Sequence, residues 1–167
     1  NINSIFTNTS YSTYWVNRDK NIKDKCKKNS IHFHSFTDYL ILAPDKIEYR
    51  KVFTPFYKKW RPVVNSLNLE LKTIKNIFTD FISDTTISIP KWKHEYFNLD
   101  SAKDSLAHFD FENYELNKDF PAKKYGTCQL SPFLRFWKIS PRWLFKRVEN
   151  INETFVKELA WREFWHH

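Results

Sequence analysis

The chain has 167 residues and a formal charge of +8 at pH 7, because 27 lysine and arginine residues outnumber 19 aspartate and glutamate residues. Hydrophobic residues make up 41% of the sequence and aromatic residues 19%, which excludes a wholly disordered chain and suffices for the core of one domain. No apolar run approaches the roughly 20 residues of a membrane-spanning helix. The basic balance favours a polyanionic partner, although lysines that only solvate the surface would give the same total.

The ends of the sequence and its cysteines add two expectations. The sequence starts at Asn1 and stops inside a helical pattern that no Gly, Asn or Pro terminates, so we expect a fragment of a longer protein that breaks off in mid-helix. Cys26 and Cys128 lie far apart, with no CxxC or Cys/His spacing, so neither a disulfide framework nor a metal site is predicted. Free thiols fit a reducing interior, so we expect an intracellular protein, cytoplasmic if the source is bacterial. We also expect a monomer.

The first predicted unit is a strand, a helix and a second strand. Residues 11–16 are mostly β-branched or aromatic, residues 17–29 are mostly polar with Lys and Asp at helical spacing, and residues 31–36 largely alternate apolar and polar side chains. Such a unit is the repeating element of a parallel α/β sheet.

A short amphipathic helix is predicted next. Pro55 follows Thr54, which suits a proline at the first helical position after a hydroxyl cap, and Phe56 and Trp60 fall on one face. Residues 61–100 have weak periodicity, and we expect them to form a long linker that wraps the surface.

The sequence becomes helical from residue 103 onward. Ser131-Pro132 and Ser140-Pro141 each place a hydroxyl before a proline, which is a typical helix start, and a third helix is predicted from about Glu153. The predicted fold class is therefore an α/β part followed by an all-α part.

The segment 125–132 is a candidate anion site. It combines the only glycine, Gly126, with hydroxyl and amide side chains directly before a predicted helix. Backbone N–H groups at a helix start bind phosphate readily. An ordinary capped helix after a turn explains the same residues, and the local sequence favours this simpler interpretation.

The last predicted helix has two different faces. One face carries a carboxylate, a guanidinium and two indoles at positions i, i+3, i+4 and i+7: Glu158, Trp161, Arg162 and Trp165. The other face is mostly apolar and is expected to meet the rest of the domain: Val156, Leu159, Ala160 and Glu163. The first face suits a planar ligand with polar edges or phosphates, and an Arg/Glu pair supported by core tryptophans is an equally good interpretation.

Together these segments resemble the DNA photolyase and cryptochrome family. In the second half the resemblance lies in TCQLSPFLRF (127–136), ISPR (139–142) and ELAWREF (158–164). In the first half it lies in VNRD (16–19), HSF (34–36) and YRKVFTPF (49–56). The resemblance implies that residues 1–60 end a Rossmann-like parallel α/β antenna domain, that residues 61–100 form the interdomain linker, and that residues 101–167 are the first helices of a helical FAD-binding domain.

The resemblance also implies roles for individual residues. Eight residues correspond to positions that bind FAD in the family: Tyr114, Thr127, Cys128, Gln129, Leu130, Ser131, Glu158 and Arg162. Glu158 and Trp161 correspond to the catalytic residues that meet the pyrimidine lesion. Four residues are expected to contact DNA: Lys118, Glu158, Trp161 and Trp165.

Three positions depart from the family pattern. Cys128 replaces the usual serine of the phosphate clamp, Gln129 replaces a common arginine, and Trp137 replaces the glycine of a Phe-Gly pair. A thiol is a weaker donor than a hydroxyl, so the clamp contact at Cys128 is expected to be lost or to pass to backbone N–H groups.

The function implied is light-driven repair of cyclobutane pyrimidine dimers in damaged DNA by electron transfer from FAD, with methenyltetrahydrofolate or a deazaflavin as a possible antenna pigment. The fragment alone is expected to be inactive. Two alternatives remain: a cryptochrome-type blue-light photoreceptor without repair activity, and a basic nucleic-acid-binding module without cofactor.

Overall fold

The structure, a computed structural model, describes residues 2–69, 99–120 and 122–166, and of residues 99–101 and 103 only the backbone. Along the chain it contains β1 (Ser4–Asn8), α1 (Thr13–Lys28), β2 (His32–Phe36), a 3₁₀ turn (Pro44–Lys46), α2 (Phe53–Ser66), α3 (Leu99–His108), α4 (Tyr114–Asn117), α5 (Ser131–Arg135), α6 (Pro141–Val148) and α7 (Glu153–Phe164). Most of the predicted linker lies outside the described residues.

The predicted strand, helix and strand unit is confirmed, and the position of its first strand is wrong. β1 and β2 are parallel, with Ser4 opposite His32 and Asn8 opposite Phe36, and α1 forms the crossover between them. The strand expected over 11–16 is instead the approach to α1 and its first residues. β-propensity reflects packing on a half-buried sheet, and the aromatic side chains of this segment are largely exposed on the helix.

Helix α2 is longer than predicted at both ends. It begins at Phe53, after Val52 at the N-cap position, so Thr54 does not cap it, and it continues past Trp60 to Ser66. The predicted buried face is confirmed: Phe56, Trp60 and Val64 are exposed by 1% or less, at i, i+4 and i+8. This buried stripe holds the helix together across Pro62, which cannot donate a backbone hydrogen bond.

The helices of the second half start close to their predicted positions, with different caps. α5 begins at Ser131 itself and therefore has Leu130 at its N-cap, whereas Ser140 occupies the N-cap of α6 but donates its hydroxyl to Asp38 Oδ1 at 2.7 Å. α7 begins at Glu153 as predicted. Its last helical residue is Phe164.

The α/β part and the helical part share one core. Helix α7 packs on α2 and on α6, and the two parts meet in a single cluster of buried apolar side chains. The apolar face predicted for α7 is buried as expected. Residues 40–42, which lie in a loop before α2, are exposed by 2% or less and form part of this interface. None of the helices that the structure describes combines the length and the apolar character needed to cross a membrane.

Candidate functional site

A cleft of about 940 Å³ lies between α7, α5 and α4 and collects most of the predicted site residues. Its lining includes all eight residues that were predicted to bind a cofactor, together with Trp165: Tyr114, Thr127, Cys128, Gln129, Leu130, Ser131, Glu158 and Arg162. Lys118 and Trp161 are not part of the lining. A volume of this order accommodates a cofactor-sized ligand.

Tyr114 is held in the wall of the cleft by aromatic packing. Its ring meets Phe155 edge-on, with 5.1 Å between the ring centroids, and Phe109 at 5.7 Å. Burial, together with the nearby carboxylate of Glu158, raises the pKa of Tyr114 to about 12. The phenol is therefore neutral at pH 7 and available as a hydrogen-bond donor.

The segment 127–131 forms a turn that leads into α5. Gln129 has a left-handed backbone with φ of 51°, and Leu130 follows in the right-handed region. Such a pair aims successive N–H groups towards one concavity that suits an anion. α5 has only five residues, so the turn and its side chains, rather than a helix dipole, are the relevant donors.

Two features of this turn follow from the residue types. Gly126 lies so close to α4 that an added Cβ would come within 2.9 Å of the Asn117 carbonyl oxygen, so a larger residue would push the turn away. Burial raises the pKa of the Cys128 thiol, and the Leu130 N–H lowers it in part. Cys128 is therefore a neutral thiol and a weak donor at this position.

Arg162 is the cationic side chain that α7 contributes to the cleft. Its Nη1 donates to the carbonyl oxygen of Tyr39 at 2.8 Å, and its guanidinium lies over the Tyr39 ring at 4.4 Å from the centroid. Its Nη2 is buried and has no hydrogen-bond partner within the described residues. Because leaving a buried charged donor unpaired is costly, Nη2 marks a place for an acceptor group of a ligand.

Glu158 and Lys118 form a loose ion pair at the edge of the cleft. The distance from Lys118 Nζ to Glu158 Oε1 is 4.0 Å, and Lys118 also lies 3.4 Å from Asp119 Oδ1. The side chain of Glu158 is 43% exposed, so its carboxylate is accessible to a ligand.

Trp161 lies outside the cleft and against α2. Its ring stacks on Phe53, with 3.8 Å between the centroids and 6° between the planes, and the residue is 36% exposed. Trp165 lies 6.1 Å from Trp161 at 25° and is 76% exposed. Phe53 thus covers one face of the Trp161 indole. Trp165 lies beside Trp161 and also lines the cleft.

Several residues of the site were not predicted from the sequence. Tyr39, Arg135, Phe136 and His166 line the cleft and also line a second cavity of about 400 Å³. The second cavity is completed by residues around the start of α1 and by Trp137: Ser10, Tyr11, Ser12, Trp15 and Arg18. Tyr39 lies in a loop distant in sequence from the other residues, so no local pattern could have indicated it.

Glu163 was assigned to the apolar face of α7, and the structure shows that it has a specific role there. It is completely buried and accepts hydrogen bonds from the backbone N–H groups of Ile41 and Leu42 and from the Trp60 indole. A glutamate within an otherwise apolar stripe was the available signal, because a charged residue is almost never fully buried unless it is paired.

Comparisons with known proteins agree with the geometry. Residues 1–75 match the family model described as DNA photolyase. Two curated relatives are both named deoxyribodipyrimidine photo-lyase. The protein of Alkalihalophilus pseudofirmus is 30% identical and the match covers 89% of this chain and 36% of that protein. The protein of Buchnera aphidicola is 31% identical and the match covers 99% of this chain and 40% of that protein.

A solved structure shows the same fold. The archaeal photolyase of Sulfolobus tokodaii, described with two FAD molecules and a novel light-harvesting cofactor, matches with a TM-score of 0.75 and 26% sequence identity. The match covers 98% of this chain and 38% of that one. The chain thus spans about 40% of the length of the curated relatives it matches.

Proposed function

Because the chain belongs to the DNA photolyase and cryptochrome family, we propose that it forms part of a light-driven enzyme that uses FAD to split cyclobutane pyrimidine dimers in DNA. The observation that carries this proposal is the cleft in which Arg162, with its unpartnered Nη2, joins the turn 127–131 and Tyr114. The division into an antenna part up to residue 60, a linker and a helical part from residue 101 remains a prediction.

The residues of the cleft fit FAD chemically. Arg162 offers a charged donor, the left-handed turn at Gln129 offers backbone N–H groups, and Ser131 offers a hydroxyl. These donors suit phosphate or carbonyl oxygens, which flavin dinucleotides carry. The neutral phenol of Tyr114 adds one further donor to the lining.

The chain's own groups would bind and orient the reactants. When bound, reduced FAD supplies the light absorption and the electron that opens the dimer ring. Glu158 would accept a hydrogen bond from the edge of the lesion, and Lys118, with its Nζ 4.0 Å from this carboxylate, would lie near the DNA strand. The stacked indoles of Trp161 and Trp165 would form the surface against which an extruded pyrimidine pair lies.

The second cavity suits an antenna pigment. Its lining places Trp15, Tyr39 and Trp137 beside two guanidinium groups, those of Arg18 and Arg135. Aromatic rings and guanidinium groups bind planar anionic molecules such as a folate or a deazaflavin. Because the two cavities share Tyr39, a pigment there would lie next to the cofactor cleft.

FAD binding by an Arg162→Ala variant tests the proposed role of the cleft. In the full-length protein that carries residues 1–167, this substitution should weaken FAD binding about ten- to a hundred-fold, because it removes a charge-assisted hydrogen bond worth roughly 1.5–3 kcal/mol. Arg147→Ala is a matched control, since Arg147 is exposed on α6 and contacts Trp143 instead of the cleft. Equal flavin occupancy in both variants would contradict the assignment of Arg162.

A further inference from the structure

The carboxylate of Glu163 connects three separate parts of the chain. It lies on α7, it accepts from the indole Nε1 of Trp60 on α2 at 2.8 Å, and it accepts from the backbone N–H groups of Ile41 and, at 3.0 Å, Leu42. The backbone donors belong to the loop 38–42, which is buried at residues 40–42 and has no regular secondary structure to satisfy its N–H groups. Glu163 therefore replaces a missing secondary-structure partner for this loop.

The same loop holds the guanidinium of Arg162. The Tyr39 carbonyl oxygen accepts from Arg162 Nη1 at 2.8 Å, and the guanidinium carbon of Arg162 lies over the Tyr39 ring, 4.4 Å from its centroid. Neighbouring residues of a helix point about 100° apart, so Arg162 and Glu163 approach the loop from different sides of α7. Glu163 thus holds the loop in place, and the loop in turn holds the guanidinium of Arg162.

We propose that Glu163 is a positioning residue, which fixes the loop 38–42 so that Tyr39 orients Arg162 with its Nη2 free for the anionic group in the cleft. This inference rests on the proposed function, because it takes FAD as the molecule that Nη2 meets. Arg162 contacts the ligand, and Glu163 acts on the ligand only through Arg162.

Other contacts anchor the same loop without involving Arg162. Ser140 donates its hydroxyl to Asp38 at 2.7 Å, and Arg142 Nε donates to the Ile41 carbonyl oxygen at 3.2 Å. Ser140 lies outside the lining of the cleft. Ser140→Ala therefore removes a hydrogen bond that anchors the same loop to the start of α6, and it provides a matched control for a general loss of rigidity.

A double-mutant cycle on FAD affinity tests the inference in the full-length protein. We expect Glu163→Gln to weaken FAD binding about five-fold, because an amide presents one acceptor oxygen and a donor group to three donors. We expect Arg162→Ala with Glu163→Gln to bind FAD as Arg162→Ala alone does. Independent, multiplying losses in the double variant would overturn the inference, as would an equal loss in Ser140→Ala.

A second variant covers the case in which Glu163→Gln does not fold. Tyr39→Leu removes the ring under the guanidinium from a partly exposed position and spares the buried carboxylate. It should weaken FAD binding several-fold in the parent and have no further effect in the Arg162→Ala background. A further loss in that background would overturn the inference.

A third readout needs no flavin. ¹⁵N NMR of the guanidinium should show hindered rotation of Arg162 in the parent protein and averaged signals in Glu163→Gln or Tyr39→Leu. Averaged signals already in the parent would overturn the inference. A parent protein that binds no FAD but shows a hindered Arg162 would contradict the proposed function alone.

Discussion

Trp161 shows how the contact partner of a single residue changes its proposed role. On sequence grounds it is either an indole beside Glu158 that stacks on a ligand or a core tryptophan, and in the structure Phe53 stacks on one of its faces. A pyrimidine can therefore approach only the remaining exposed surface of the ring and the neighbouring ring of Trp165. Phe53 thereby fixes the plane of the indole before any DNA binds.

We predict that Trp161→Ala weakens binding to dimer-containing DNA about ten-fold, because base stacking on an aromatic ring is worth roughly 1–3 kcal/mol. Binding to undamaged duplex should barely change, since it depends on phosphate contacts, and FAD should stay bound. The measurement is a paired titration of damaged and undamaged oligonucleotides at one salt concentration. Tyr49→Ala, at a position 62% exposed, is the control. Equal losses on both DNAs would mean that Trp161 only packs against Phe53.

The ionisation of Glu163 predicts a pH dependence of stability. Burial raises the pKa of Glu163 to about 7 from its ordinary value of 4.5, although its three donors and Arg162 act in the opposite direction. The folded state thus holds a proton that the unfolded state releases, so the free energy of unfolding decreases as pH rises from about 4.5 to 7. The slope is at most about 1.4 kcal/mol per pH unit.

Urea unfolding between pH 5 and 8 measures this effect against Glu163→Gln, which cannot ionise. The free energy of unfolding of the parent should fall relative to that of the variant up to about pH 7 and stay level above it. Parallel curves for the two proteins across this range would contradict the raised pKa.

The backbone of Trp137 explains one departure from the family pattern. Trp137 has φ of 55°, a left-handed conformation that costs a non-glycine residue about 1–2 kcal/mol. Glycine, which the family commonly has there, adopts this conformation without that cost. In this chain the indole meets the Tyr39 ring edge-on at 6.1 Å and lines the second cavity, so it compensates for part of the strain.

At the scale of elements, α2 and α7 form the main joint between the two parts of the chain. Arg61 of α2 reaches the Glu149 carbonyl oxygen and Glu153 Oε2, both at 3.2 Å, and its guanidinium lies over the ring of Phe145 at 5.4 Å. Tyr57 donates its hydroxyl to the same Glu153. These polar contacts join α2 to the start of α7, in addition to the packing of the buried apolar face of α2.

We predict that Arg61→Ala lowers the free energy of unfolding by about 1–2 kcal/mol, because it removes a partly buried cation with several partners. Lys59→Ala should cost less than about 0.5 kcal/mol, since the pair that Lys59 forms with Glu48 is exposed to solvent. Urea denaturation of both variants provides the comparison. Similar losses in the two would show that the joint depends on the apolar stripe alone.

Local patterns predicted the elements and not their connections. The strand, helix and strand unit, the buried face of α2 and the start of α7 follow from spacing, which depends on neighbouring residues only. The first strand was misplaced because aromatic and β-branched residues at 11–16 resemble a strand, and their helical state depends on tertiary context. The resemblance to the family identified the residues of the cleft. The hydrogen bonds of Tyr39 with Arg162 and of Glu163 with Ile41 join segments more than a hundred residues apart, so no local pattern predicts them.

On the scale of the whole molecule, the chain contains the cleft proposed to hold FAD and spans about 40% of the length of its curated relatives. Large apolar side chains near the end of α7 are exposed, including Trp165 at 76%. The formal charge of +8 of the whole chain suits a surface that binds nucleic-acid phosphates.

We predict negligible dimer repair by residues 1–167 alone and a tendency to aggregate, because exposed apolar surface at the cleft lacks a partner. Light scattering and a repair assay on the isolated chain check both outcomes. Repair at a rate comparable to that of the full-length protein would contradict this prediction.

Light-dependent repair by the full-length protein is the measurement that tests the proposed function most directly. The purified protein is reduced, mixed with an oligonucleotide that contains one cyclobutane dimer, and either illuminated with blue light or kept dark. We predict that it carries FAD and restores the dimer to two pyrimidines only under illumination, with Arg162→Ala impaired unless FAD is added in excess. A protein with bound flavin and no repair under light would instead be a photoreceptor, and a protein without flavin would be a basic nucleic-acid-binding module.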